Sequence, residues 1–331
     1  MGCIGMSLTG LARRLIGGSP RRSVAFLDDS GTSESGLLRR FIGGSPRRSV
    51  VFLGDSITRG VFSAPWVDHL AQAVRSRPIN IGQDGLCAEG ALHLTDEAIN
   101  AKPAAVVVCV GTNDYLLRQF HVAGGQGLVG HILKSNGLES DDRREFTARA
   151  YGQTMKKILD RLVNSGLPTL VVAPPMNGEA QDSEAAQIAK EYSEELGAIV
   201  KDLQSSLDDA SKARLLYIDF GVPYQQELEE RRILQESQEG SRDSAEIVFK
   251  EFTPPSFANG GVQLMPNLNA AAAGRGPSPK PRGLNDAAAK QGFWLKPDLI
   301  HFNERCASLL IRALQPLLSQ LLEFHSAGPA E

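Results

Sequence analysis

Short runs of uninterrupted apolar residues recur along the chain. Between them, apolar residues return every three to four positions. Val50-Val51-Phe52-Leu53, ended by Gly54, is the first such run. An apolar, β-branched stretch of this length, closed by glycine, predicts a strand buried on both faces. The same reading predicts strands at Pro78–Ile81, Ala104–Val110, Thr169–Ala173 and Leu215–Phe220. Helical spacing predicts helices over 63–76, with Ser63 as N-cap, over 89–100, over 143–165 ended by Gly166, over 181–208 with Glu/Lys pairs at its surface, and from Glu304 to about Leu322. Strands that are apolar throughout, alternating with helices, predict a mainly parallel sheet covered on both sides. The fold class is therefore α/β, a three-layer α/β/α sandwich on five strands.

Two stretches break this alternation. Residues 254–292 are rich in Pro, Gly and Ala without periodicity and read as a flexible, low-complexity insertion. Residues 123–130, AGGQGLVG, form a Gly-rich loop after the third predicted strand, and Trp66 and the 115–133 loop are positioned to shape a pocket. A third irregularity is a duplication. LARRLIGGSPRRSVAFLDDS at 11–30 is repeated, nearly unchanged, as LLRRFIGGSPRRSVVFLGDS at 37–56. Two copies do not make a solenoid, which needs three or more repeats to bury a continuous core. Residues 11–36 read as a duplicated, loosely ordered extension.

Composition narrows the picture. The chain has 331 residues, is 42% hydrophobic and 22% charged, and carries a net charge of −3, so nothing global points to nucleic acid or an anionic membrane. No stretch approaches the roughly 18 apolar residues of a membrane span. Cys3, Cys87, Cys109 and Cys306 form no CxxC pair, which argues against a zinc site or a disulfide framework. Cys109, inside an apolar run, reads as core. The first 27 residues hold Arg13, Arg14, Arg21 and Arg22 and no acid, which fits an organellar transit peptide or a disordered basic tail equally. MGCIGMS has Met6 where a myristoylation pattern wants Ser or Thr. The location expected is thus cytoplasmic or organellar.

In an open α/β sheet the crevice lies at the carboxyl ends of the strands, and four short features fall at such ends or in late loops. Gly54-Asp55-Ser56 follows the first strand and would present a hydroxyl and a backbone N–H. Asn80-Ile81-Gly82-Gln83-Asp84-Gly85 follows the second, with glycines that let the backbone approach a ligand. Gly111-Thr112-Asn113-Asp114 follows the third, and an asparagine amide can donate to an oxyanion. Asp298-Leu299-Ile300-His301 precedes the last helix, and a carboxylate at that spacing can fix an imidazole tautomer. Each alone also fits an ordinary turn or helix start. His69, His93, His121, His131 and His325 suit surface or packing roles, and no His/Asp/Glu cluster has metal-ligand spacing.

Taken together and in this order, GDSIT (54–58), NIGQDG (80–85), GTND (111–114) and DLIH (298–301) resemble the four blocks of the SGNH hydrolase family, also called GDSL-type esterases and lipases. The likeness spans 49–323. It implies an SGNH/flavodoxin-like sheet, Ser56 as nucleophile, His301 as base oriented by Asp298, and an oxyanion hole from Ser56, Gly85 and Asn113, with Gly85 a better match than Gly82. It implies no cofactor and no metal. Two departures stand out: the common HPN is HFN here, with Phe302, and the second block continues Gly85-Leu86-Cys87 instead of GDT. The domain reading is an extension over 1–40, a hydrolase domain over 41–325 interrupted at about 254–292, and a tail over 326–331.

The expected activity is hydrolysis of a carboxylic ester of the acyl, lipid or acetylated-sugar class through an acyl-enzyme on Ser56. The expected partner is a small-molecule, lipid or sugar ester, with no nucleic acid. Acyl transfer to an alcohol would use the same residues, and a non-catalytic SGNH-like binding protein is the reading from another class. Ser30 has Asp28 where Ser56 has Gly54, and GTSESG follows it instead of a strand–helix unit. The expectation is that Asp28 removes a permissive backbone position and brings charge near any oxyanion.

Overall fold

The computed structural model describes residues 48–122, 132–134, 136–138, 145–175, 177–237, 284–290, 293–296 and 300–326. The 11–36 repeat, Ser30, the 123–130 loop, most of 254–292, Asp298 and His131 lie outside the described residues. Among the described residues, five strands form one sheet in the order β2-β1-β3-β4-β5. They are β1 (Ser49–Gly54), β2 (Arg77–Asn80), β3 (Ala105–Cys109), β4 (Thr169–Ala173) and β5 (Leu215–Asp219). Every pairing is parallel, so the sheet is wholly and not just mainly parallel. In register, Gly54 at the end of β1 lies beside Cys109 at the end of β3.

The helices are α1 (Ser56–Arg59), α2 (Trp66–Ala73), α3 (Ala88–Asn100), α4 (Thr112–Val122), α5 (Ala148–Asn164), α6 (Glu184–Ser205), α7 (Asp209–Lys212), α8 (Gly221–Ser237), α9 (Leu284–Lys290) and α10 (Glu304–Ser326). Helices α3, α5 and α6 pack side by side on one sheet face; α2, α10 and α8 cover the other. Burial explains why the strands were legible. All five residues of β3 and of β4 are buried, as are Val50–Leu53 of β1. The edge strands β2 and β5 are only partly buried, and polar residues enter there. Strand order reverses between β1 and β3, the switch point at which open α/β sheets form their crevice.

Several elements differ from expectation, each for a local reason. The helix predicted from Ser63 begins at Trp66, and Ser63 is no cap, because its hydroxyl accepts the Phe302 N–H at 3.1 Å. The helix predicted from 143 starts at Ala148, where Thr147 Oγ1 accepts from the Ala150 N–H. Helix α6 starts at Glu184 behind the Ser183 cap and ends at Ser205, with a separate turn, α7, capped by Asp208. Residues 112–122 form a helix, so the first part of the expected 115–133 loop is helical, and Leu284–Lys290 form one inside the stretch read as an insertion. Helix α8 was not anticipated. Trp66, expected to shape a pocket, is instead a core residue: it is fully buried, lies edge-on to Phe52 at 5.7 Å, and donates its indole N–H to the Ile57 carbonyl at 3.0 Å.

Candidate active site

The site begins where β1 stops. Asp55 caps the four-residue α1, its carboxylate accepting the Ile57 N–H at 2.9 Å, so that Ser56 opens the helix. Gly54 is required for space. A Cβ there would lie 2.1 Å from Thr58 Oγ1 and 2.6 Å from the Cys109 carbonyl. Its φ is not in the left-handed region. The expectation of a permissive backbone at this position is thereby corrected: what an aspartate could not have here is room. Burial pushes the Asp55 carboxyl up to about 6, against the lowering effects of the Ile57 N–H, His301 and Thr112.

Ser56 and His301 meet. Ser56 Oγ lies 3.0 Å from His301 Nε2, although 245 residues separate them. Both residues are 8% exposed. The Phe62 ring stands at a steep angle to the imidazole, with centroids 5.5 Å apart. Asp298, expected to orient His301, lies outside the described residues. The HFN departure has a use. The Phe302 N–H donates to Ser63, a bond that proline could not make. Ala64 N–H in turn donates to the Phe302 carbonyl at 2.9 Å. Asn303 caps α10, its side-chain oxygen accepting the Cys306 N–H at 3.0 Å.

The turn after β2 is held from the side of β3. Gly85 has φ +73°, a conformation open chiefly to glycine, whereas the Gly82 N–H is occupied by Asn80 Oδ1 at 2.9 Å. Asn113 donates one amide N–H to the Leu86 carbonyl at 2.9 Å. Its neighbour Asp114 accepts the Ala88 N–H on both oxygens at 3.1 Å, at the start of α3. Asn136 donates to the Gly85 carbonyl at 2.9 Å and accepts the Cys87 N–H at 3.0 Å. Gly90 makes room for it, since a Cβ there would lie 2.1 Å from Asn136 Oδ1. GTND is thus not a self-contained Asx-turn: its last two residues grip the turn that carries Gly85. Burial pushes the Asp114 carboxyl up to about 7, with the Ala88 N–H opposing.

Arg59 pairs with Asp84 at the rim, one residue before Gly85. Burial raises Asp84, and Arg59 opposes it. A cavity of about 250 Å³ shares Cys87 and Asp114 with the turn and is lined further by Leu117, Tyr151 and Tyr192. Cys87, Cys109 and Cys306 are buried, and burial drives Cys109 and Cys306 away from the reactive thiolate. His69, His93 and His121 are exposed on their helices, and the His121 ring rests 5.2 Å from that of Phe146. Among the described residues, no three His, Cys, Asp or Glu side chains come together as a metal site, and no helix is long and apolar enough to cross a membrane. Sequence reasoning missed Asn136 and Glu179, the latter a buried carboxylate that holds the backbone ahead of His301. Neither carries a motif.

The chain matches the model of the GDSL-like Lipase/Acylhydrolase family over residues 52–222. No curated protein matches it. Among solved structures it is similar to a catalytic mutant of Axe2, an acetylxylan esterase from Geobacillus stearothermophilus, at 13% identity and TM-score 0.48, over 82% of this chain and 94% of that one. It is also similar to LAE5, an alpha/beta hydrolase enzyme from the metagenome of Lake Arreo, Spain, at 16% identity and TM-score 0.42, over 70% and 97% of the two chains. The family match covers more than half of the chain and includes the Ser56, Gly85 and Asn113 blocks, and it is on this ground that the chain belongs to the GDSL-like Lipase/Acylhydrolase family, as an ester-hydrolysing enzyme.

Proposed function

We propose that the protein is a serine esterase working through an acyl-enzyme on Ser56. The observation that carries this is the 3.0 Å contact between Ser56 Oγ and His301 Nε2 at the carboxyl end of β1. His301 takes the Ser56 proton as Oγ attacks the acyl carbon of the ester. The oxyanion accepts hydrogen bonds from the Ser56 and Gly85 N–H groups and from the second amide proton of Asn113. His301 returns the proton to the departing alkoxide, then deprotonates the water that attacks the acyl-enzyme and releases the acid. Asp298 orients the imidazole in this reading.

The substrate is a carboxylic ester of the acyl, lipid or acetylated-sugar class, and a panel of graded acyl length with acetylated sugars included assigns it. An added alcohol acceptor followed by product analysis separates hydrolysis from acyl transfer. The direct test is a fluorophosphonate probe. It should label Ser56 and fail on Ser56→Ala; labelling that persists in that variant contradicts the assignment. Because His301 must be neutral to act, kcat/KM should fall as the pH is lowered and the imidazole takes up a proton.

A further inference from the structure

We infer that Glu179 is a positioning residue for the base: its carboxylate grips the backbone just ahead of His301 and sets where the imidazole stands relative to Ser56. The inference rests on the reading of Ser56 and His301 as nucleophile and base. Glu179 lies beyond β4 and is fully buried. Its Oε1 accepts the N–H groups of Leu295 at 2.6 Å and Lys296 at 2.8 Å, and its Oε2 accepts that of Trp294 at 2.8 Å. Three consecutive backbone donors on one carboxylate fix both the position and the direction of a chain segment.

The same stretch is closed on itself and pinned at its far end. The Asn303 N–H donates to the Leu295 carbonyl at 3.0 Å, and Asn303 Nδ2 donates to the Trp294 carbonyl at 2.6 Å. Phe302, next to His301, is tied to Ser63 and Ala64. His301 therefore sits between a clamp on 294–296 and a clamp on 302. The Glu179 side is built at a cost in desolvation that only a complete set of partners offsets. Besides the three N–H groups, the attraction of fully buried Lys296 acts on Glu179. The Lys296 ammonium lies 5.2 Å from the Tyr224 ring centroid and 5.5 Å from that of Phe302. The loop bearing Glu179 is itself held, the Tyr224 hydroxyl donating to the Gly178 carbonyl at 2.8 Å and the Tyr115 hydroxyl to that of Pro175 at 2.5 Å. A chain of close contacts thus runs from the body of the fold through Glu179 to the segment that carries the base.

A misplacement of reacting groups by about 1 Å can lower a rate about 100-fold. Glu179→Ala should therefore lower kcat about 100-fold. Glu179→Gln, which offers one acceptor oxygen and turns an NH₂ toward a backbone donor, should lower it about 10-fold. In both, KM on a p-nitrophenyl ester should stay within about twofold, since a fully buried side chain does not touch substrate. The rate of fluorophosphonate labelling of Ser56 should fall in parallel with kcat. Leu203→Ala, in α6 on the opposite sheet face, supplies the control: a lower Tm with kcat per labelled site unchanged. The inference is overturned if both Glu179 variants keep kcat per labelled site within twofold of the parent, or if Leu203→Ala loses as much kcat per labelled site as they do for an equal fall in Tm. If Glu179→Ala does not fold, Glu179→Gln alone decides. A parent protein that the probe does not label overturns the serine-esterase reading and this inference with it. A labelled parent with unaffected variants overturns the inference alone.

Discussion

The turn from Gly85 to Ala88 is held by Asn113, Asp114 and Asn136, which reach it across 26 to 51 residues of sequence. The stretch from Trp294 to Lys296 is held by the carboxylate of Glu179 across 115 to 117 residues. One arm of the site spreads its support over several short-range bonds, and the other concentrates it on one long-range residue. Sequence distance is a minor part of the contrast. Each doubling of a closed loop costs about 0.6 kcal/mol, so the longer span adds on the order of 1 kcal/mol. What matters is redundancy. Losing one of three side chains leaves a turn partly held, whereas losing Glu179 leaves the buried Leu295 and Lys296 N–H groups and the part-buried Trp294 N–H without this acceptor at once, and a buried N–H left unsatisfied costs about 1–3 kcal/mol.

The largest effect is expected at Gly54, beneath the nucleophile turn. Gly54→Asp, which copies the upstream repeat, would drive a side chain into Thr58 and the Cys109 carbonyl at the join of β1 and β3. No soluble, cooperatively melting protein should result; a variant that melts within a few degrees of the parent would show that the turn can yield. Next comes a contrast within the distributed arm. Asn113→Ala removes a brace on Leu86 and, in the proposed mechanism, an oxyanion donor as well, and should lower kcat about 10²–10³-fold. Asn136→Ala removes only a brace and should cost about 10-fold or less, because Asn113 and Asp114 remain. Steady-state kinetics on one ester decides it, and equal losses in the two variants would erase the distinction between donor and brace.

The smallest effect is on stability against pH. Burial holds the Asp114 carboxyl near 7, above its ordinary value of 3.8. A raised carboxyl favours the fold most below about 4 and loses that contribution as pH rises toward 7. Asp114→Asn cannot ionise, so the drop in Tm between pH 5 and pH 8 should shrink. It should not vanish, because Asp55, raised to about 6, slopes the same way. An unchanged Tm difference in that variant would mean that Asp114 does not titrate in this range.

The central strands could be read from sequence because burial on both faces leaves no polar positions. The Ser56, Gly85, Asn113 and His301 blocks could be read because each sits in a short motif at a strand end or before a helix. Other features left weaker traces. TNDYLLRQFHV carries Tyr115, Leu116, Leu117 and Phe120 at helical spacing, yet the turn-like GTND and the Gly-rich run after it masked α4. Helix α8 buries only Tyr224 and Leu228 and exposes Val222, Ile233 and Leu234, so its pattern is nearly flat. Ser63 looks like a cap, and only the Phe302 N–H, 239 residues away, shows why it is not. Glu179 is one acid in a loop, and its role exists only once 294–296 is folded against it.

The doubled segment returns as a question of space. SVVFLGDS carries its serine on a turn with room for no side chain at Gly54, and SVAFLDDS has an aspartate there. In the proposed mechanism Ser56 carries the acyl group. Mixing the full chain with a p-nitrophenyl ester, quenching in acid within the first turnovers and measuring intact mass tests it directly. A mass increase of one acyl group is expected, mapped by fragmentation to the peptide holding Ser56 and absent in Ser56→Ala. Steady hydrolysis with no adduct on that peptide, or an adduct that survives Ser56→Ala, would contradict it.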